Sequence, residues 1–287
     1  DLHPRVRRQR QMCIRDRYNG EKYLYAQIVS IQKQTMQNWR LLVRDDGSTD
    51  NTIDILESFA LTDKRILFLK DNKGNLGVVR SFEQLLYYST ANYIMFVDQD
   101  DVWLPNKIEH TLQAILKMET KEPDKSLLVF TDVFVVDSEL KKISSSFIKR
   151  EGYDVSVVTD VNRLAVSNCI MGCTVMINSI AKQFVLPFSK YTLMHDWWIG
   201  LIIAKYGKVT YLDEPTSLYR QHANNQVGSG KITFLYYLKR LCHLNAFFEV
   251  NYKYIRMIKD LPFKVNLFTL LVRKWKYSLC KFINQLI

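Results

Sequence analysis

Two short apolar runs that each end in a cluster of carboxylates constrain this chain more than any other feature. Trp39 to Arg44 leads into Asp45-Asp46-Gly47-Ser48-Thr49-Asp50, and Tyr93 to Val97 leads into Asp98-Gln99-Asp100-Asp101. Apolar runs without polar alternation suit strands buried on both faces, and such strands belong to parallel sheets covered by helices. Helical spacing between the runs agrees: Leu24, Ile28 and Ile31 within residues 21–34, helices over about 50–60 and 76–89 around a strand at Arg65 to Lys70, and a further helix after Pro105. A strand-like Leu127 to Val136, an irregular polar stretch to about 160, an apolar block at Ile170 to Ile177, a helix beginning near Asp196 and a strand at Lys208 to Leu212 complete the series. The predicted fold is α/β, a mostly parallel sheet flanked by helices with a Rossmann-like nucleotide-binding half. Open sheets of this kind bind ligands outside the carboxyl ends of their strands, where both acidic turns fall.

Each turn admits a plain and a chemical reading. In the first, Gly47 makes the turn and Ser48 or Asp50 caps the following helix. In the second, carboxylates two residues apart at a strand-to-loop transition can converge on one hard divalent cation, Mg²⁺ or Mn²⁺, which prefers oxygen ligands and commonly bridges to phosphates. A solvated acidic turn is the alternative there. Asp196 reads equally as an N-cap of a helix over Trp197 to Lys205.

Composition narrows the class. The 287 residues are 47% hydrophobic and 24% charged, enough for a full core. The net charge of +11 resides in the two ends: residues 1–17 hold six Arg and two Asp, and residues 231–287 hold eleven Lys/Arg and two acids. The nearly neutral middle does not resemble a nucleic-acid-binding domain, whereas a basic end suits an anionic membrane surface. Five cysteines, with Cys169 and Cys173 the only close pair, argue against a zinc ribbon or a disulfide framework. The uncharged stretch Leu164 to Ala181 contains Ser167, Asn168, Thr174, Asn178 and Ser179 and is too polar to span a bilayer. No apolar secretory core follows the N-terminal arginines, so a cytoplasmic protein is expected, peripheral at the inner face of the plasma membrane. There is no Gly-x-Gly-x-x-Gly, no complete Walker-type loop and no Gly-x-Ser-x-Gly, which sets aside nicotinamide, ATPase and α/β-hydrolase readings.

Taken together, Tyr18-Asn19-Gly20-Glu21, the Asp45 to Asp50 turn, Asn75-Leu76-Gly77 with Arg80, Asp98-Gln99-Asp100-Asp101-Val102-Trp103, His195-Asp196-Trp197-Trp198 and Tyr219-Arg220-Gln221-His222 resemble family 2 glycosyltransferases of the GT-A fold. They are most similar to the rhamnosyltransferase-like enzymes of bacterial cell-surface polysaccharide synthesis. The resemblance implies an inverting, metal-dependent transfer of a sugar from a nucleotide donor, dTDP-rhamnose or a UDP-sugar, to a glycan or lipid-linked glycan. It places Tyr18, Asn19, Glu21, Asp45, Asp46, Arg80, Asp98 and Gln99 around the nucleotide-sugar. It makes Asp100, with Asp98 and His222, the ligands of Mg²⁺ or Mn²⁺, and it makes Asp196 the general base. Arg220 and His222 would contact diphosphate or metal, and Trp103, Trp197 and Trp198 would stack on sugar rings or simply pack. A non-catalytic nucleotide-sugar or glycan-binding relative and a metal-dependent nucleotidyltransferase stay open as alternatives.

The resemblance covers residues 18 to about 225 and fails before them. Family members begin with an apolar central strand, whereas this chain offers Gln9-Arg10-Gln11-Met12-Cys13-Ile14-Arg15-Asp16-Arg17. Met12 to Arg17 is similar to translated sequencing-adapter sequence. The expected organisation is a basic N-terminus over 1–17 that replaces the native first strand, a GT-A domain over 18–230, and a basic extension over 231–287 of two or three helices. Leu235, Leu238, Leu241 and Leu244, then Phe268, Leu271, Trp275, Leu279 and Phe282, give that extension its helical spacing.

Overall fold

The computed structural model describes residues 11–17, 19–221 and 244–286, with side chains described for 19–221 and 248–276. The first half is a regular alternation of strand and helix. It comprises β1 (Gln11–Arg17), α1 (Glu21–Gln32), β2 (Trp39–Asp45), α2 (Thr52–Thr62), β3 (Ile66–Leu69), α3 (Val78–Tyr88), β4 (Tyr93–Val97), the two-residue β5 (Val102–Trp103) and α4 (Lys107–Lys121). The second half is less regular. It contains β6 (Ser126–Val136), β7 (Lys142–Ser144), α5 (Phe147–Glu151), α6 (Val161–Val166), β8 (Met176–Asn178), α7 (Ser179–Val185), α8 (His195–Tyr206) and the long β9 (Gly207–Arg220). The extension contributes α9 (Leu244–Lys259) and α10 (Leu267–Leu286).

The described strands form one sheet in the order β3-β2-β1-β4-β8-β6-β9-β5, with β7 paired to β6. Strands β3, β2, β1 and β4 are parallel, as the apolar runs predict. The sheet as a whole is mixed rather than mostly parallel, because β8 runs antiparallel to both β4 and β6, and β5 antiparallel to β9. The antiparallel insertion carries a functional consequence: the residues that lead into β8 are delivered to the carboxyl end of β4, beside Asp98.

The segment set apart from the fold on sequence grounds supplies the central strand. The backbone of Gln11–Arg17 lies between β2 and β4, with Cys13 opposite Leu41 on one side and Met95 on the other. Its side chains lie outside the described residues.

Two apolar layers cover the sheet. Leu24, Ile28, Trp39, Val43, Val97, Ile108 and Ile115 fill one face under α1, α2 and α4. Phe82, Leu86, Phe96, Phe130, Trp198 and Ile202 fill the other under α3, α7 and α8. Helix α9 joins the second layer through Tyr254, Met257 and Ile258, and Tyr254 donates to the Ala165 carbonyl at 2.7 Å. The C-terminal half of α9 is therefore packed against the body through these three residues, while Phe248, Val250 and Tyr252 are exposed.

Candidate active site

A cavity of about 540 Å³ opens at the carboxyl ends of β1 and β4 and is lined by Asn19, Asp98, Gln99, Asp100, His195 and Asp196, with Gly172 and Cys173 behind them. The topology dictates the place. Strand order reverses between β1 and β4, and such a switch point leaves a crevice where the flanking loops part.

The Asp98–Asp101 loop is built from the buried end of β4 and held from below. Gln27 donates to the Asp98 carbonyl at 2.7 Å. Pairing of β5 with β9 brings Arg220 to the loop, where its backbone N–H donates to Asp101 Oδ1 at 3.3 Å and its Nε to the Asp100 carbonyl at 3.0 Å. Its guanidinium also bonds the Ser138 carbonyl and lies 4.4 Å from the centre of the Tyr23 ring. Arg220 is thus buried as the brace of the acidic loop and does not line the cavity, contrary to the expectation that it contacts diphosphate. Lys107, fully buried on α4, donates to Thr216 and Ser217 and sits close enough to Asp98 and Asp101 to favour their ionised forms. Sequence reading missed it because a lysine in a helix pattern carries no sign of burial.

The carboxylates are crowded. Burial and the nearby Asp100 and Asp196 push Asp98 up to about 7, and burial pushes Asp196 up to about 7 as well. Asp98, Asp101 and Cys173 bring one ligand atom each within 4.8 Å of one another. Burial holds the Cys173 thiol well above its ordinary range, so the oxygens, not the sulfur, suit a hard cation. Asp101 Oδ2 is buried with no hydrogen-bond donor in geometry among the described residues. Clustered oxygen donors and repelling charges fit a divalent cation, and it is Asp101, to which the resemblance gave no ligand role, that joins Asp98 in this group. His222 and Tyr18 lie outside the described residues.

Asp196 stands on the first turn of α8. The helix begins two residues before the Trp197 start that a cap at Asp196 requires, at His195 with Met194 as its N-cap, so Asp196 is not the cap residue. Its carboxylate still receives N–H groups, from Trp197 to Oδ1 and from Gly172 to Oδ2 at 3.0 Å, while Asn168 donates to Oδ1 at 3.2 Å. These contacts fix its direction into the cavity at 7% exposure. Beside it, the His195 ring packs 4.2 Å from Phe82 and 5.3 Å from Phe96, and burial lowers its pKa to about 3.

Of the other named residues, Asn19 lines the cavity, and Glu21, Asp45, Asp46 and Arg80 stand apart from it. Asp46 is buried and accepts from the Leu76 and Gly77 amides at 2.6 and 2.7 Å and from Ser81 and Arg44, so it holds the Asn75–Gly77 loop. Asp45 folds the turn itself, accepting from Gly47 and Ser48 amides at 2.9 Å each, and Gly47 takes the positive φ of 91° that the turn requires. Glu21 bonds Asn51, and Asn19 exchanges bonds with Ser48 and Thr49, which ties the start of α1 to the same turn. Arg80 pairs with Glu83 and donates to the Phe188 and Ser189 carbonyls. Trp103 and Trp198 are buried, Trp197 donates to the Leu164 carbonyl, and none of the three lines the cavity.

The glycosyl transferase family 2 model matches residues 17–183, more than half of the chain and the whole of the acidic-loop half of the site. The chain belongs to glycosyl transferase family 2. Among its relatives, dTDP-rhamnosyl transferase RfbG of Shigella flexneri is 27% identical over 239 residues, which is 78% of this chain and 76% of RfbG. The Escherichia coli enzyme WfgD, a UDP-Glc:alpha-D-GlcNAc-diphosphoundecaprenol beta-1,3-glucosyltransferase, is 29% identical over 199 residues, 68% of this chain and 70% of its own. Among solved structures, Staphylococcus aureus TarS 1-349 in complex with UDP-GlcNAc superposes with a TM-score of 0.58 at 16% identity, over 89% of this chain and 68% of that one. The longer TarS structure matches at 0.53, and there the chain spans 39% of its length. The fold is GT-A-like, and the protein is a glycosyltransferase.

Proposed function

We propose that this glycosyltransferase inverts the anomeric centre of a UDP- or dTDP-linked sugar, with Asp196 as general base, and transfers it to a glycan or lipid-linked glycan of the cell surface at the inner face of the plasma membrane. One observation carries the reading: Asp196, tuned by burial to about 7, shares a single cavity with Asp98 and Asp100. A base with that pKa is half ionised near neutrality and can take the proton of an acceptor hydroxyl. As the proton moves to Asp196, the acceptor oxygen bonds the anomeric carbon and the bond from that carbon to the diphosphate oxygen breaks on the opposite side. Asn168 and Gly172 keep the accepting lone pair on Asp196 aimed at the hydroxyl. Asp98 and Asp100 would hold Mg²⁺ or Mn²⁺, with Asp101 beneath them. When bound, such an ion supplies the positive charge that favours departure of the nucleoside diphosphate. The names of RfbG and WfgD support dTDP-rhamnose or UDP-glucose as the donor to try first.

The test is a screen of UDP- and dTDP-sugars with Mg²⁺ or Mn²⁺, identifying what is released. Nucleoside diphosphate supports transfer, whereas pyrophosphate would establish a nucleotidyltransferase. Asp100→Ala should keep the fold and lose divalent-dependent donor binding, and full activity in that variant would refute the metal assignment.

A further inference from the structure

Helix α10 turns an apolar stripe away from the protein. Leu270 is buried and Lys274 lies 3.2 Å from the centre of the Tyr254 ring, so this side faces the body. Phe268, Leu271, Val272 and Trp275 are exposed, Phe268 by 79% and Trp275 by 67%. Their i, i+3, i+4, i+7 spacing puts all four on one stripe. Lys276 is exposed at the edge of this stripe and Arg273 on a flank turned away from it, and no described helix is long and apolar enough to cross a membrane. A helix with these features lies in an anionic interface and not across it.

A second observation lies beneath the same helix. Where α10 packs on α6, a cavity of about 430 Å³ is lined by Tyr153 and Val166, the carboxylates of Asp154 and Asp160 and the guanidiniums of Arg163 and Arg273. Tyr153 and Cys169 line both this cavity and the catalytic one, so the two adjoin. Arg163 pairs with Asp154 at 2.7 Å, whereas Arg273 pairs with no carboxylate among the described residues. Arg163 neutralises Asp154, and Asp160 accepts from the Asn162 amide at 2.8 Å, which leaves Arg273 as the guanidinium of this cavity that a lipid phosphate could engage.

We propose that α10 rests in the headgroup layer of an anionic bilayer and that the cavity beneath it receives the phosphate-bearing stem of a membrane-anchored acceptor, whose sugar then reaches Asp196. The inference rests on the lipid-linked acceptor reading above and names the site that would serve it.

Two binding measurements on the full chain test it. The first is flotation with vesicles of equimolar phosphatidylcholine and phosphatidylglycerol, which should capture the protein at low salt and release it as salt rises. Phe268→Ser with Trp275→Ser should weaken capture roughly tenfold or more, and Lys276→Ala roughly fivefold, with thermal midpoints unchanged. The second is calorimetric binding of farnesyl diphosphate with EDTA present, which Arg273→Ala should weaken roughly tenfold. Absence of capture at low salt, or equal capture of the Phe268/Trp275 variant, would overturn the membrane assignment. Equal affinity of Arg273→Ala for farnesyl diphosphate, or affinity no better than for inorganic pyrophosphate, would overturn the cavity assignment. Neither readout needs turnover, so a failure of sugar transfer would count against the enzyme reading and leave these outcomes separate.

Discussion

Asp46 and Asp45 are neighbours that the family resemblance places together at the nucleotide, yet the structure gives them different work, and truncating each should reveal it. Asp46 accepts four hydrogen bonds, among them those from the fully buried Arg44, and Arg44 itself is 2.9 Å from Asp71. Removing one partner of a buried ion pair costs about 3–5 kcal/mol, because the charge left behind is uncompensated. Asp71 retains part of Arg44's compensation, while the freed Leu76 and Gly77 amides sit on a half-exposed loop that water can reach, so the middle of that range is expected for Asp46→Ala. Asp45→Ala loses a turn carboxylate at the rim and should cost about 1 kcal/mol. With a urea m-value of about 3 kcal/mol/M, the unfolding midpoint should fall by about 1.3 M for Asp46→Ala and by about 0.3 M for Asp45→Ala. Tryptophan fluorescence reads both transitions. Arg44→Met combined with Asp46→Leu should recover most of the loss, since exchanging a whole buried pair for apolar groups is often neutral. If Asp46→Ala unfolds within about 0.3 M of the parent while donor binding disappears, Asp46 faces the nucleotide and the structural assignment is refuted.

Asp196→Asn should leave donor binding intact and lower turnover by roughly 10² to 10⁴; unchanged turnover would leave Asp196 as a structural acceptor only. Because its pKa is raised from 3.8 to about 7, the working carboxylate forms only as pH climbs through 7, so turnover should fall tenfold per unit below that point. The same shift makes folded protein hold its proton longer than unfolded protein, so this group's contribution to stability should decline as pH rises from about 4 to about 7, and Asp196→Asn should remove both slopes. Gly172→Ala would place a Cβ 2.6 Å from His195 Nε2 and 3.5 Å from Asp196 Oδ2; with the imidazole wedged against Phe82 and Phe96, turnover should drop roughly a hundredfold, and near-parental turnover would show the pocket to be compliant. Replacing residues 11–17 with Val-Ser-Val-Ile-Leu-Ala-Thr should raise solubility and thermal midpoint, and equal behaviour of the two chains would show that the arginine-rich segment is native to this sheet.

The parts of the site carried by a single strand and its following loop were legible from residue order alone. Asp98, Gln99 and Asp100 follow five uninterrupted apolar residues, and a buried parallel strand has only one place to put the polar residues at its carboxyl end. Asp196 was legible through family resemblance, and its position one residue inside α8 changes its backbone role without moving it from the cavity. The supports were not legible. Lys107, Arg220 and Asp101 meet only because β5 pairs antiparallel with β9, a contact between residues more than a hundred positions apart. Gly172 and Asn168 reach Asp196 because β8 runs against its neighbours, and a strand of only three residues, Met176 to Asn178, does not announce its direction. Asp46 and Arg80 illustrate the converse, since a motif residue that orders a loop carries the same letter as one that touches the ligand.

The central strand shows where backbone and side-chain requirements part. Strands β2 and β4 are both parallel, both buried and held one strand-width apart by the helices that cover them. Without a strand between them, two rows of amide and carbonyl groups would face each other with neither water nor partner, at about 1–3 kcal/mol for each group left unpaired. That demand is met by any seven residues in extended conformation, which is why Gln11–Arg17 takes the slot although its composition contradicts the site. The demand of the flanking layers is different: they are filled mainly by Ile, Leu, Val and Phe, and the one guanidinium buried on β2, that of Arg44, is bonded by Asp46, Asp71 and Ser81. Sequences that fold well satisfy both demands at every position. Along β1 the ladder is satisfied by geometry, so the β1–β4 crevice that houses Asp98 depends on the backbone pairing of seven residues whose composition the sequence pattern of a buried strand does not predict.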